Sequence, residues 1–179
     1  ESITWYDIEK SLYAKRGEFE ATGKLEAIDY PVSTKVQVVE GKEQNIALIA
    51  TPTAIVNTPE DLGGVAGLND GYEPASSRDT SHGVWHNWQG GNQSGDAWVQ
   101  YTWNNEVTIT GTDAYYFTDG NFAPASVSYQ YLDADGNWKE VENGDGFGVK
   151  LNQYNKTTFA PVTTTAIRMW MKPKTLGCG

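Results

Sequence analysis

A single cysteine in 179 residues, Cys178, has no partner for an internal disulfide, so a disulfide-stapled fold is excluded. Basic residues are scarce as well: 13 Lys and Arg face 23 Asp and Glu, a formal charge of −10 at pH 7. That sign is wrong for neutralising a phosphate backbone or an anionic lipid surface, which removes nucleic acid and membrane from the expected partners. Apolar residues never run beyond five in a row, Ile46 to Ala50, far short of the roughly 20 that a membrane-spanning helix needs. Amphipathic-helix spacing is almost absent, and there is no coiled-coil heptad, internal repeat or low-complexity tract. The start, Glu1-Ser-Ile-Thr-Trp5, has neither the basic residues nor the apolar stretch of a secretory leader. That leaves a cytosolic chain or a piece excised from a longer protein, and the second is the expectation.

Against these shortages stands an aromatic content of 12%, with 7 Trp, 10 Tyr and 5 Phe. With 39% hydrophobic residues the chain can bury a core of its own, and its length suits one full domain with part of another. Short alternating runs bounded by Gly, Pro, Asn and Asp predict strands at Lys35 to Val39, Ala97 to Trp103, Val107 to Ile109, Ala114 to Thr118, Val127 to Leu132, Trp138 to Val141 and Ala166 to Met171. Period-2 alternation places Val99, Tyr101 and Trp103 on one face and Trp98, Gln100 and Thr102 on the other. Trp98, Trp103 and Trp138 lie within strand patterns and are assigned to the core. If Ile167, Met169 and Met171 face inward, Trp170 faces outward beside Arg168. Asp133-Ala-Asp-Gly-Asn137 reads as a hairpin turn, because Asp-Gly and Gly-Asn accept positive φ. The expected class is an all-β antiparallel sandwich.

A boundary falls near residues 40–44, after which long Asn, Thr, Gly and Trp-rich loops begin. This gives a short N-terminal β segment or linker, 1–44, and a main domain, 45–179. A segment that short seldom folds alone without disulfides or metal, so it packs on the remainder or belongs to a neighbouring module.

Several stretches in the main segment resemble one family in the right order. They are Asn45-Ile-Ala47, Leu68-Asn-Asp-Gly71 with Ser76-Ser77, Trp98-Val-Gln-Tyr101, Tyr115 to Asp119 with Pro124, Val127 to Tyr131 with Trp138, and Thr158 to Val162 with Thr165 to Arg168. The ordered set resembles the discoidin, or coagulation factor 5/8 type C, domain, and is most similar to family 32 type carbohydrate-binding modules of bacterial glycoside hydrolases. Thr4-Trp5, Tyr13, Gly17-Glu-Phe19 and Gly23 resemble the second half of a bacterial immunoglobulin-like module. The first resemblance implies a jelly-roll sandwich of about eight strands, a ligand site on loops at one end, and no catalytic machinery. Family members usually continue past the Leu-Gly pair into a last strand carrying a Glu, whereas this sequence stops at Leu176-Gly-Cys-Gly179.

The densest functional patch is Arg78-Asp-Thr-Ser-His-Gly-Val-Trp-His-Asn-Trp88. A pyranose presents an apolar C–H face that stacks on indole and a rim of hydroxyls that need paired donors and acceptors. Trp85 and Trp88 beside Arg78, Asp79, His86 and Asn87 supply that mixture, although either Trp could instead plug the end of the sandwich. Asn121 and Phe122 in one loop, and Tyr154 with Asn155 in another, are candidates for the same rim. His82 and His86 near Asp79 have a spacing that zinc could use, but no third nitrogen or sulfur ligand. The family's metal loop implies a structural calcium instead, with a carboxylate from Asp70, a hydroxyl from Ser76 or Ser77, and backbone carbonyls. Asp70 capping its own turn is the alternative. No Gly-x-Ser-x-Gly, His-Glu-x-x-His or phosphate-binding glycine loop is present, and no pair of carboxylates marks a glycosidase cleft. The expectation is a monomeric, non-catalytic module of a secreted or cell-surface bacterial enzyme, which binds a poly- or oligosaccharide and sits beside that enzyme's catalytic domain. A sandwich that packs on such an enzyme and has lost sugar binding is the competing reading.

Overall fold

The computed structural model describes residues 2–13, 17–38, 44–55, 64–79, 81–87, 96–117 and 124–173. The chain divides into two compact units, Glu1–Asn45 and Ile46–Gly179. Among the described residues no helix is long and apolar enough to cross a membrane.

The first unit is a three-stranded antiparallel sheet in the order β1 (Ile3–Trp5), β2 (Gly17–Leu25), β3 (Tyr30–Val38), with one helical turn, α1 (Lys10–Tyr13). Its register sorts the residues by chemistry. Gly23 lies between Trp5 and Val32, Leu25 between Ile3 and Tyr30, and Phe19 opposite Val36, so these share one face. Glu18, Glu20, Thr22 and Lys24 share the other with Ser33, Lys35 and Gln37. Gly23 is required by its neighbour: a Cβ there would come within 3.0 Å of Trp5 Cε3. Trp5 and Tyr30 remain 44% and 61% exposed, so this apolar face has little cover.

The second unit is a five-stranded antiparallel network in the order β4-β5-β8-β6-β7, where β4 is Thr51–Ala54, β5 Ala97–Tyr115, β6 Pro124–Leu132, β7 Trp138–Glu140 and β8 Tyr154–Pro173. Of the three runs read separately from the sequence between 97 and 118, Ala97 to Trp103 and Val107 to Ile109 fall in this one strand of 19 residues, together with the first two residues of Ala114 to Thr118. Its pairing with β8 shifts register between Thr102 and Val107 and again between Ile109 and Gly111. Such irregularities bend a strand, and here they let the sheet fold over a single core. Trp103 and Ile109, on either side of the first shift, share one buried cluster with Val127, Tyr129, Val141 and Ile167. Burial of Tyr129 pushes its phenol up to about 12. The fold is the expected all-β sandwich.

The hairpin between β6 and β7 also forms as expected. Asp133 Oδ1 accepts from the N–H groups of Asp135 and Asn137 at 3.0 and 2.8 Å, and Gly136 takes φ +80°. On β8, Ile167 is buried and Met169 and Met171 pack on the core, while Arg168 and Trp170 point the other way.

The tryptophans divide differently from the sequence expectation. Trp103 is buried and donates Nε1–H to the Ile46 carbonyl at 2.9 Å. Trp98 and Trp138 are half-buried instead. Strand parity puts Trp98 on the outer face, opposite Trp170. Trp138, opposite Leu132, stacks on Arg168, whose guanidinium lies 4.0 Å from its ring centroid and 5.2 Å from that of Trp170. Gln130 Oε1 accepts from Arg168 Nε at 2.7 Å and from Trp170 Nε1 at 3.0 Å, and Gln130 Nε2 donates to Glu140. These rings turn toward a cation and an amide, so a pattern that reads as core is an outer-face ladder.

Candidate functional site at one loop end

The long segment between β4 and β5 is tied down before it reaches the site. Asn69 Nδ2 donates to the carbonyls of Ala47 and Ala50, each at 2.9 Å, and the Tyr101 hydroxyl donates to Leu68 O at 2.7 Å. Gly67 passes so close to Gly83 that an added Cβ would meet its carbonyl oxygen at 2.8 Å. Gly71 turns the chain with φ +79°. Tyr72 is thereby presented at the surface, 43% exposed.

Around Tyr72 the segment folds on itself. Its ring stacks on His82 with centroids 4.3 Å apart and planes 20° from parallel. Its hydroxyl donates to Asp79 Oδ2 at 2.6 Å, and Ser81 Oγ donates to Asp79 Oδ1 at 2.6 Å. Ser81 N also reaches Asp79 Oδ1, at 3.1 Å. The hydrogen bond from Ser81, then that from Tyr72, lower the Asp79 carboxyl to about 2, so it is a fixed anion at neutral pH. His82 Nδ1 lies 2.8 Å from Gly83 O, and since a carbonyl can only accept, Nδ1 is the donor in that bond.

A second wall stands beside it. Tyr115, at the end of β5, and Tyr154, at the start of β8, meet edge to face with centroids 5.2 Å apart, and Tyr154 is 39% exposed. Burial, followed by the charges of Glu73, Asp113 and Asp70, raises the Tyr154 phenol. Asn152 joins the walls: its Oδ1 accepts from Ser77 N at 2.7 Å and from the Tyr115 hydroxyl at 3.3 Å. Behind it Asn155 is buried and holds the turn, accepting from Lys150 N at 2.8 Å and donating to the carbonyls of Ala114, Lys150 and Gln153. Asn155, a candidate for the ligand rim, is a structural amide with its hydrogen bonds turned inward.

Of the residues named from the sequence, Asp79, His82 and Tyr154 lie in this cluster. Arg78 is exposed beside Asp79, and Trp85, His86 and Asn87 are half-buried further along the same segment. Trp88, Asn121 and Phe122 lie outside the described residues. Asp70 Oδ1 accepts from Tyr72 N at 2.8 Å and Ser76 Oγ accepts from Arg78 N at 3.3 Å, so both cap turns locally. Among the described residues no group of three or more His, Cys, Asp and Glu is arranged around a metal position. A calcium ion here would draw on one carboxylate and neutral oxygens, a hard-oxygen set that suits it chemically. Sequence reasoning missed Tyr72, Ser81, Tyr115 and Asn152. A tyrosine directly after Asn-Asp-Gly was the available signal, since a turn exposes the side chain that follows it.

The profile of the F5/8 type C domain matches residues 59–177. The chain belongs to the F5/8 type C domain family. It is 27% identical over 127 residues to an exo-β-1,6-galactobiohydrolase of Bifidobacterium longum, a match covering 68% of this chain and 8% of that protein. In structure it is similar to a Clostridium perfringens carbohydrate-binding module of family 32 in complex with GalNAc-β-1,3-galactose, at TM-score 0.53 and 12% identity over 70% of this chain and 86% of that one. It is also similar to a chitosan-binding module from a Paenibacillus chitosanase/glucanase, at TM-score 0.51 and 18% identity over 75% and 91% of the two chains. At these identities the likeness is one of fold, and it agrees with the F5/8 type C sandwich.

Proposed function

We propose that the F5/8 type C unit is a non-catalytic carbohydrate-binding module, and that it tethers a secreted bacterial glycoside hydrolase to its glycan. The observation that carries this reading is the placement of Tyr72 and Tyr154. Among the described residues of the second unit these are the exposed aromatic rings: Tyr72 stands beside His82 and Asp79, and Tyr154 packs on Tyr115, which Asn152 links to Ser77 of the Tyr72 segment. A pyranose laid on Tyr72 finds an apolar face and, next to it, the Asp79 carboxylate and the His82 ring as polar partners for its hydroxyls. Arg78, Trp85, His86 and Asn87, with Trp88, Asn121 and Phe122, extend this rim in the proposal. A calcium ion near Asp70, Ser76 and Ser77 would brace the segment that carries Tyr72. The 1–44 segment belongs, on the same reading, to an immunoglobulin-like module whose apolar face another layer covers.

Covering one face of a tyrosine removes about 80 Å² from water, worth about 2 kcal/mol gross at ~25 cal/mol/Å². Two such faces and a few hydrogen bonds at about 1 kcal/mol each, against an association cost of at least ~4 kcal/mol, leave roughly 3–4 kcal/mol, which is weak binding on the order of millimolar. Calorimetric titration with GalNAc-β-1,3-galactose, a β-1,6-linked galactose disaccharide and a chitosan oligosaccharide tests the proposal. Tyr72→Ala and Tyr154→Ala each weaken the bound sugar more than tenfold. Heat from none of a broad glycan panel, or unchanged affinity in both variants, refutes it.

A further inference from the structure

We infer that Asn152 is a positioning residue, a latch that assembles the glycan rim from three separate segments of the chain; this rests on the glycan-binding reading of that rim. Asn152 takes φ +58°, outside the usual range for a side-chain-bearing residue, and its N–H donates to Tyr116 O at 2.7 Å. That conformation turns a single atom, Oδ1, toward both Ser77 N at 2.7 Å and the Tyr115 hydroxyl at 3.3 Å. Through Ser77 the latch fixes the segment that carries Tyr72 and Asp79. Through Tyr115 it fixes the ring whose edge props Tyr154 at 5.2 Å. Without it the two tyrosine walls lose the acceptor they share, and binding must order them more fully against one another.

The chemistry of the latch predicts which substitutions it tolerates. Both contacts ask only for an acceptor, so Asn152→Asp preserves them, and Asp accepts positive φ almost as readily as Asn. Asn152→Gly keeps the backbone conformation and deletes the acceptor, which separates the latch from the turn.

The test measures glycan affinity by calorimetry and exchange of the Ser77 amide by NMR in the wild-type chain and both variants. Expected are an affinity about tenfold weaker in Asn152→Gly, faster Ser77 exchange, and recovery of both in Asn152→Asp. Unchanged affinity in Asn152→Gly, or an Asp variant no better than the Gly variant, overturns the latch while the glycan reading stands. If the wild-type chain binds no glycan, that reading fails by itself and Ser77 exchange decides. Protection kept in wild type and Asn152→Asp but lost in Asn152→Gly upholds the latch, and equal protection in all three overturns it.

Discussion

Replacing Asn155 by alanine tests how the loop end is held. The amide accepts one backbone N–H and reaches three carbonyls with two donors of its own, all in a site that is 8% exposed. Truncation takes a partner from the Lys150 N–H and from the three carbonyls, which share the two amide protons. At about 0.5–1.5 kcal/mol for each net hydrogen bond, the loss comes to about 2–4 kcal/mol. The second unit, Ile46–Gly179, has 134 residues. At about 2.1 cal/mol/K per residue its unfolding entropy is ~0.28 kcal/mol/K, so the melting temperature should fall by roughly 7–14 °C. Asn155→Asp separates donor from acceptor. A carboxylate keeps the bond from Lys150 N but sets negative charge against three carbonyl oxygens, so at pH 7 it should be less stable than the alanine variant. It should recover as acidification protonates it, because a neutral carboxyl can donate again. Calorimetry of the three proteins at pH 7 and pH 4 reads this directly. A drop below about 3 °C for the alanine variant, or an aspartate variant as stable as wild type, would show that the turn holds without its amide.

Two further outcomes follow from the same end of the sandwich. Asp79 has its pKa depressed from 3.8 to about 2 by Ser81 and Tyr72, so its contribution is complete above about pH 4 and is lost as pH falls through 2. A carboxyl-carbon NMR titration should give that midpoint in wild type and one moved back toward 3.8 in Ser81→Ala; coincident curves would refute the assignment. If calcium braces the Tyr72 segment, a hundredfold excess over its Kd stabilises by about 2.7 kcal/mol, roughly a 10 °C rise in melting temperature. Asp70→Asn should abolish that rise, and a wild-type protein indifferent to calcium and chelator excludes the ion.

Much of the fold was legible because period-2 alternation is a local signal. The hairpin at Asp133–Asn137 was set by Asp-Gly chemistry, and the inward turn of Ile167, Met169 and Met171 by parity alone. Continuity was not legible. β5 reads as three strands because its two register shifts interrupt the alternation, and only pairing with β8 makes it one. The tryptophans failed for a related reason. Alternation already separated Trp98 from Trp103 but did not say which face is covered, and the outer place of Trp138 depends on Arg168, which is distant in sequence and reaches both its ring and that of Trp170.

The asparagines at 152 and 155 show the same limit at the site. Three residues apart in one turn, they look interchangeable in sequence, each a polar residue in a loop. Asn155 is buried beneath Gly148, where a Cβ would fall 2.6 Å from its Oδ1, and its amide goes mostly to the turn's own backbone at Lys150 and Gln153, with one bond to Ala114 O on the paired strand β5. Asn152 lies at the surface with positive φ and spends its oxygen on two segments that are 75 and 37 residues away. A loop residue that bonds its own turn fixes a conformation, while one that bonds across the fold fixes a relationship between walls. Only the second kind bears directly on how two tyrosines face one sugar, and its partners can be found only once the strands have brought them together.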